Sequence, residues 1–212
     1  MTNPEQQTLR SEATFEGVGV HSGAPAKVRF LPSEAAHGIR FRRVDLEGHP
    51  EIAARLENVV ATEMGTSLAV GEARVDTVEH LLAAAVALGV DNMVVEIDGP
   101  EVPIGDGSFL PFLDALARAG TVGQGEPARV LTVGRAGHVE LDGGTSYTVA
   151  PAEAYQVSAS IDFAHPLIGR QFASFEVDAE VFEREIAPAR TFGFLRDAEA
   201  LRARGLARGT TM

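Results

Sequence analysis

An apolar stripe at helical spacing runs through residues 77–88 and is the strongest pattern in this sequence. Its members are Val78, Leu81, Leu82, Ala85 and Leu88. The spacing predicts a helix, with Asp76 or Thr77 capping its first turn and Gly89 just past its end, where a left-handed backbone is favoured. The apolar run Met93–Ile97 follows at once and predicts a buried strand.

Shorter alternating segments predict strands along the rest of the chain. They cover residues 13–15, 26–31, 38–44, 56–60, 73–75, 129–133, 138–141, 146–150, 155–163 and 172–177. Further helices are predicted at residues 111–119, 179–186 and 196–204. The polar, glycine-rich segment 121–127 is interpreted as the boundary between two domains, residues 5–125 and 128–212. Because each half runs from strands to helices, the pattern predicts an α+β protein with two repeats of a small two-layer α/β sandwich.

Composition narrows the class of function. The 212 residues carry a formal net charge of −12, which argues against nucleic acid as the main partner, because nucleic acid is bound through clustered cations. Without cysteine there are no disulfides and no thiolate ligands, so a metal would rest on histidine and carboxylates. The first ten residues lack the apolar core of a signal peptide, and no apolar run approaches the ~20 residues that span a bilayer. We therefore expect a soluble, cytoplasmic protein, with a monomer favoured.

Two loops are candidates for a functional site. The turn at residues 17–23, GVGVHSG, contains three glycines, which indicates a tight turn or a close approach of the backbone. It lacks the spacing and the lysine of a phosphate-binding loop, and its His21 is interpreted as a buried structural residue. In the loop 99–107, Glu101 and Asp106 are expected to bond the local backbone, as acids in such loops usually do.

Glu79 and His80 place a carboxylate beside an imidazole in the first turn of the predicted helix. A neutral imidazole is the commonest metal ligand, and a neighbouring carboxylate can act as a base towards metal-bound water. The alternative is ordinary, because a glutamate complements the helix dipole and most helical histidines bind no metal. On these two residues alone, the ordinary interpretation is favoured.

A longer block carries a family resemblance. The segments TVEHLLAA and DNMVVEIDGPEVPIGDGS, followed by Pro111 and Phe112, occur in order with GVGVHSG, IDFAHP and ARTFGFLRD. Together they resemble the signature of the zinc-dependent UDP-3-O-acyl-N-acetylglucosamine deacetylases, which commit bacterial cells to lipid A synthesis. The resemblance implies two repeated α/β domains with the active site between them. It also implies hydrolysis of the N-acetyl group of UDP-3-O-(3-hydroxyacyl)-N-acetylglucosamine by water on Zn²⁺.

The resemblance also assigns roles to individual residues. His80 matches the first zinc ligand of the family, Glu79 its general base, and Thr191 the threonine whose hydroxyl stabilises the oxyanion. The Gly65 and Thr66 neighbourhood is implied to lie near the metal. The residues matched to substrate contacts are Phe163, which stacks on the uracil, and Phe192, Phe194 and Leu201, which enclose the acyl chain.

The remaining ligands of the resembled family, a histidine and an aspartate one helical turn apart, come from a segment beyond residue 212. No other histidine of this sequence is followed by an acid four residues later on a predicted helix. We therefore expect a deacetylase truncated at its C-terminus, with an incomplete second domain that stops within an inserted βαβ unit. Two alternatives stay open: a non-catalytic module that binds a nucleotide sugar or an acyl chain, and an inactive truncated gene product.

Overall fold

A computed structural model describes residues 4–210 of the chain. They form two compact units: one contains the residues up to Ala128 together with those from Glu183 onward, and the other is Arg129–Phe182. Helices and several sheets occur together, which confirms the predicted α+β class. The domains 5–125 and 128–212 stay a prediction, and the compact units do not follow the order of the chain.

A five-stranded sheet is the centre of the first unit. Its strand order is β2-β3-β9-β4-β5, and every neighbouring pair is antiparallel except the parallel pair β4 and β9. Strands β6, β7 and β8 form a small sheet, and β1 pairs with β10. The strands are β1 Glu5–Leu9, β2 Ala13–Val18, β3 Pro25–Pro32, β4 Ile39–Arg43, β5 Glu51–Ala53, β6 Val59–Ala61, β7 Ser67–Val70, β8 Ala73–Val75, β9 Met93–Ile97 and β10 Thr121–Pro127.

Alternation along these strands separates a buried face from a charged one. Val28 and Phe30 of β3 are fully buried, whereas Arg29 between them is exposed. Helix α1, Glu79–Ala87, packs against helix α2, Leu110–Ala119, and α2 packs against β2. The rings of Phe15 in β2 and Phe112 in α2 meet edge to face with centroids 5.0 Å apart. Helix α1 is therefore fixed to the sheet through its packing against α2.

The second unit is built from two antiparallel hairpins. Strand β11, Gly137–Glu140, pairs with β12, Ser146–Val149, which confirms the predicted hairpin, and β13, Gln156–Phe163, pairs with β14, Gly169–Glu176. A short helix α3, Ala179–Val181, leads into a π-helical turn. Helix α4, Leu195–Ala203, lies in the part of the chain that belongs to the first unit. Between residues 4 and 210, no helix is long and apolar enough to cross a membrane.

Two predicted strands differ in the structure, and the segment interpreted as a domain boundary is itself a strand. Residues 121–127 form β10, because their backbone pairs with the distant strand β1, and the position of the boundary stays a prediction. Residues 129–133 are irregular, and Leu131 among them is 95% exposed, although their alternation predicted a strand. Residues 56–58 form a 3₁₀ turn ahead of β6 instead of one continuous strand.

Candidate functional site

Connecting segments meet at the first turn of α1. They are the glycine-rich turn after β2, the loop between β6 and β7, the short link from β8 into α1, and the loop between β9 and α2. Isolated backbone bridges join Gly19 to Pro103 and Asp76 to Glu101. These links bring the segments of the GVGVHSG, TVEHLLAA and GPEVPIGDGS motifs together in one part of the first unit.

His80 lies at the buried side of this helix start. The residue is 8% exposed, and its ring centroid is 4.9 Å from that of Phe109. Its Nδ1 is 3.4 Å from the carbonyl oxygen of Ser108. A proton on Nδ1 that donates to this carbonyl leaves the lone pair on Nε2, the tautomer in which an imidazole can bind a metal through that atom.

The loop that carries Ser108 is held by its own acid. The Asp106 carboxylate accepts hydrogen bonds from the Ser108 hydroxyl at 2.7 Å and from the Ser108 backbone N–H at 3.0 Å. Both bonds lower the pKa of the Asp106 carboxyl below its ordinary value, and the bond from the hydroxyl has the larger effect. The expectation that Asp106 bonds the local backbone is confirmed, and the result is a fixed carbonyl opposite His80.

Glu79 is half-buried, and its carboxylate is tied to the loop before β7. Oε2 accepts a hydrogen bond from the Thr66 backbone N–H at 2.9 Å. A Cβ added to Gly65 would lie 3.4 Å from Oε1, so the glycine keeps side-chain atoms away from the second carboxylate oxygen. The carboxylate is therefore oriented through one oxygen, while the other faces the space beside Gly65.

Thr191 lies beside the same loop as His80. Its backbone N–H donates to the Gly107 carbonyl at 2.8 Å, and Nε of Arg190 donates to the Asp106 carbonyl at 2.6 Å. Gly107 directly precedes Ser108, whose carbonyl faces His80. The structure therefore brings the segment that contains Thr191 close to the start of α1, in an irregular conformation and not in a strand.

The predicted substrate-contacting residues divide between the two units. Phe192 and Phe194 lie in the first unit with their rings edge to face at 5.9 Å, and Leu201 is half-buried in α4. Phe163 lies in the second unit, where it ends β13 opposite Gly169. The substrate contacts assigned to these residues stay predictions.

Two cavities lie in different units of the protein. One of about 250 Å³ lies next to the helix start, and its lining includes His21, Gly65, Thr77 and Glu101. A larger one of about 1500 Å³ lies within the second unit, between the segments of its hairpins, with Phe163 in its lining. The smaller cavity adjoins the loop and the link on either side of the helix start, although neither Glu79 nor His80 is in its lining.

The donors that the structure places together can be compared with the needs of a zinc ion. A catalytic zinc ion takes three protein ligands. Among residues 4–210, no group of three or more histidines and acidic residues is arranged to hold a metal ion. The contact of His80 Nδ1 with the Ser108 carbonyl suits a ligand that binds through Nε2, but the donor set of these residues alone does not fit a complete zinc centre.

Sequence reasoning missed the role of Glu101. The residue is 3% exposed and bonds the backbone of His21 and Ser22, about 80 positions away, so the expectation of local bonding was wrong. His21 is half-buried, and its Nε2 lies 3.1 Å from the Met64 carbonyl. The available signal was an acid placed among apolar residues in the run EVPI, a position that requires hydrogen-bond partners if it is buried.

Comparison with known proteins identifies the family. The model for LpxC, UDP-3-O-acyl N-acetylglycosamine deacetylase, matches residues 6–212. Proteins named UDP-3-O-acyl-N-acetylglucosamine deacetylase from Brucella ovis, Brucella canis and Brucella melitensis are each 44% identical over 211 residues, which cover 99% of this chain and 73% of the relative. With three of its family motifs gathered at one helix start and this similarity along nearly its whole length, the chain belongs to the UDP-3-O-acyl-N-acetylglucosamine deacetylase family.

Proposed function

We propose that this protein hydrolyses the N-acetyl group of UDP-3-O-(3-hydroxyacyl)-N-acetylglucosamine in lipid A biosynthesis. The proposal is supported by the placement of Glu79 and His80, in a chain of this family, at a helix start where several loops converge. A carboxylate held by a backbone N–H can serve as a base, and an imidazole held through Nδ1 can bind a metal through Nε2. A cytoplasmic location and a monomeric state are part of the proposal.

Glu79 is assigned the role of general base. One carboxylate oxygen is held by the Thr66 N–H, which leaves the other to take the proton of the attacking water. The Thr191 hydroxyl is assigned to the developing oxyanion, where a donor that is already positioned stabilises the transition state more than the substrate. Thr191 is next to Gly107 and so lies near the loop that faces His80.

The remaining residues are assigned to substrate binding. Phe192, Phe194 and Leu201 are proposed to contact the acyl chain, and Phe163 is proposed to stack on the uracil. Zinc is proposed as the metal, with His80 as the ligand that we assign among the described residues.

Replacement of Glu79 by glutamine tests the base. We expect kcat for acetate release to fall about 10²–10⁴-fold, the contribution typical of general base catalysis, while the metal content stays unchanged. Glu57→Gln is the matched control, because Glu57 is an exposed acid in the 3₁₀ turn 56–58, outside the loops that meet at the helix start. An unchanged kcat in Glu79→Gln would remove this residue from the mechanism.

Replacement of His80 by alanine tests the ligand. We expect the metal content, measured by elemental analysis of the purified protein, to fall to background in His80→Ala. His138→Ala, at an exposed position in the second unit, should retain the metal of the wild type. Metal retained in His80→Ala would refute the assignment.

Acetate release from the nucleotide sugar is the test of the function as a whole. The assay uses protein purified from its native source, whose intact mass is compared with the 22.4 kDa of the 212 residues. Hydrolysis supports the proposal. Binding of the nucleotide sugar without hydrolysis and without metal would instead support a non-catalytic binding module.

A further inference from the structure

We propose that Glu101 is a positioning residue that sets the orientation of the Glu79 carboxylate through the loops on either side of the first turn of α1. The proposal rests on the proposed deacetylase function in so far as Glu79 is the general base. Nothing in the roles assigned above uses Glu101, although it is one of the most deeply buried acids of the first unit.

The Glu101 carboxylate joins two segments that are distant in sequence. Oε1 accepts hydrogen bonds from the His21 N–H at 2.8 Å and from the Thr77 hydroxyl at 3.1 Å, and Oε2 accepts one from the Ser22 N–H at 2.8 Å. A buried carboxylate is tolerated only when it is compensated in this way, and hydrogen bonds to a charged acceptor are the stronger kind. The glycine-rich turn and the link into α1 are therefore fixed to one group.

The link that Glu101 holds has an unusual backbone. Thr77 has φ of +59° and is 3% exposed, and a β-branched residue in this region is a genuine outlier. Such strain costs about 1–3 kcal/mol and persists only where the surroundings impose it. The surroundings here are the Thr77 hydroxyl bond to Glu101 and two backbone bonds, Asp76 N–H to the Pro100 carbonyl and Val102 N–H to the Asp76 carbonyl.

Both segments that Glu101 binds also contact the loop that holds the Glu79 carboxylate. On one side, Thr77 is followed directly by Val78, whose N–H donates to the Thr66 carbonyl at 3.3 Å, and the Thr66 N–H donates to Glu79 Oε2. On the other side, His21 Nε2 lies 3.1 Å from the Met64 carbonyl in the same loop. Glu101 thus supports the loop that contains Thr66 through the turn and through the helix link.

The glycine-rich turn is shaped around this carboxylate. A Cβ added to Gly19 would collide with the Glu101 carboxylate and with the Ser22 hydroxyl. The glycine therefore allows the close approach that lets two successive backbone N–H groups reach the acid. This explains, in physical terms, why a glycine stands two residues before His21.

Glu101→Gln is the main test, because glutamine has the shape of glutamate but only one side-chain oxygen that can accept hydrogen bonds. We expect hydrogen exchange of the Thr66 amide to accelerate at least about tenfold and kcat to fall about tenfold to a hundredfold with KM little changed, since small displacements of a catalytic group cost rates of this order. Asp98→Asn is the matched control, a carboxylate that accepts the Lys27 backbone N–H at 2.8 Å away from α1, and it should leave the exchange of the Thr66 amide and kcat unchanged.

Thr66 exchange at the wild-type rate in Glu101→Gln would overturn the proposal, and so would faster exchange with an unaltered kcat. If Glu101→Gln does not fold, Thr77→Val decides, because it removes one hydrogen bond and keeps the branched shape. Faster exchange of Thr66 in Thr77→Val supports the proposal, and unchanged exchange refutes it. A wild-type protein without deacetylase activity would instead refute the proposed function, while the exchange of Thr66 would still show whether Glu101 holds the loop.

Discussion

At the scale of single residues, the loop between β9 and α2 shows how burial decides what an acid does. Asp106 is exposed and bonds Ser108 two positions away, whereas Glu101 is buried and bonds groups on other segments. The sequence predicts the first arrangement because the donor is local. It does not predict the second, because the partners of Glu101 are set by the fold.

The lowered pKa of Asp106 predicts how stability depends on pH. A carboxyl whose pKa is lower in the folded state stabilises above its unfolded pKa of about 3.9, and this contribution is lost as the pH falls through the folded value. Wild type should therefore have a higher Tm than Asp106→Asn at pH 7, and the difference should shrink below about pH 4. A difference that stays constant between pH 7 and pH 3 would contradict this assignment.

Ser108 provides the control for that measurement. The Ser108 hydroxyl donates the bond that is the largest cause of the shift. In a Ser108→Ala background, Asp106→Asn should therefore have a smaller effect on Tm at pH 7 than it has in the wild type.

At the scale of elements, the ends of α1 show which signals are local. The helix, Glu79–Ala87, has no side-chain cap, so the prediction of a cap from Asp76 or Thr77 was wrong. The Asp76 carboxylate instead accepts from Nε of Arg74 at 2.7 Å, and the Thr77 hydroxyl donates to Glu101. Both predicted caps are thus engaged by tertiary partners, which a sequence pattern cannot reveal.

The other end of α1 supplies a prediction about stability. Gly89 has φ of +69°, which confirms the predicted left-handed residue past the helix end. Gly89→Ala should lower the free energy of unfolding by about 1–2 kcal/mol, which is the cost of a left-handed conformation for an L-residue. No steric clash adds to this cost, because an added Cβ would meet only Gln7 Nε2 at 3.9 Å. Urea titration measures the change.

Gly99→Ala is the matched control for Gly89→Ala. Gly99 also has open space around an added Cβ, but no left-handed φ. It should lose clearly less stability, and equal losses in the two variants would show that conformation is not the cause.

At the scale of the whole molecule, the five-stranded sheet presents a face of alternating charge. Glu96 on β9 accepts from Arg29 on β3 at 3.0 Å and from Arg42 on β4 at 3.1 Å, and Arg42 also pairs with Glu51 on β5 at 2.7 Å. The pKa of the Arg42 guanidinium is raised, chiefly by its hydrogen bond to Glu51. Sequence alternation predicted β3 and the apolar run predicted β9, but neither predicted the ion pairs across strands, which require the strand order.

Removal of the central acid tests the contribution of this charged face. Glu96→Gln should lower the free energy of unfolding by about 1 kcal/mol at low salt, because partly exposed ion pairs contribute about 0.2–1 kcal/mol each. The loss should shrink in 1 M NaCl, where the Debye length falls to about 3 Å. Glu57→Gln, whose exposed pair with Arg55 is 3.7 Å long, should change stability less, and a salt-independent loss in Glu96→Gln would contradict the electrostatic explanation.

The glycine-rich turn binds segments of the chain that are synthesised much later than the turn itself. Besides its bonds to Glu101, the turn accepts backbone hydrogen bonds from Arg208 and Gly209 through the carbonyls of His21 and Val20. On the ribosome, the turn is among the first segments to emerge, yet the partners of its carbonyls are made almost 190 residues later. The turn therefore stays without these two partners until residues 208 and 209 have been made, and contacts of such long sequence separation form slowly because a long loop must close first.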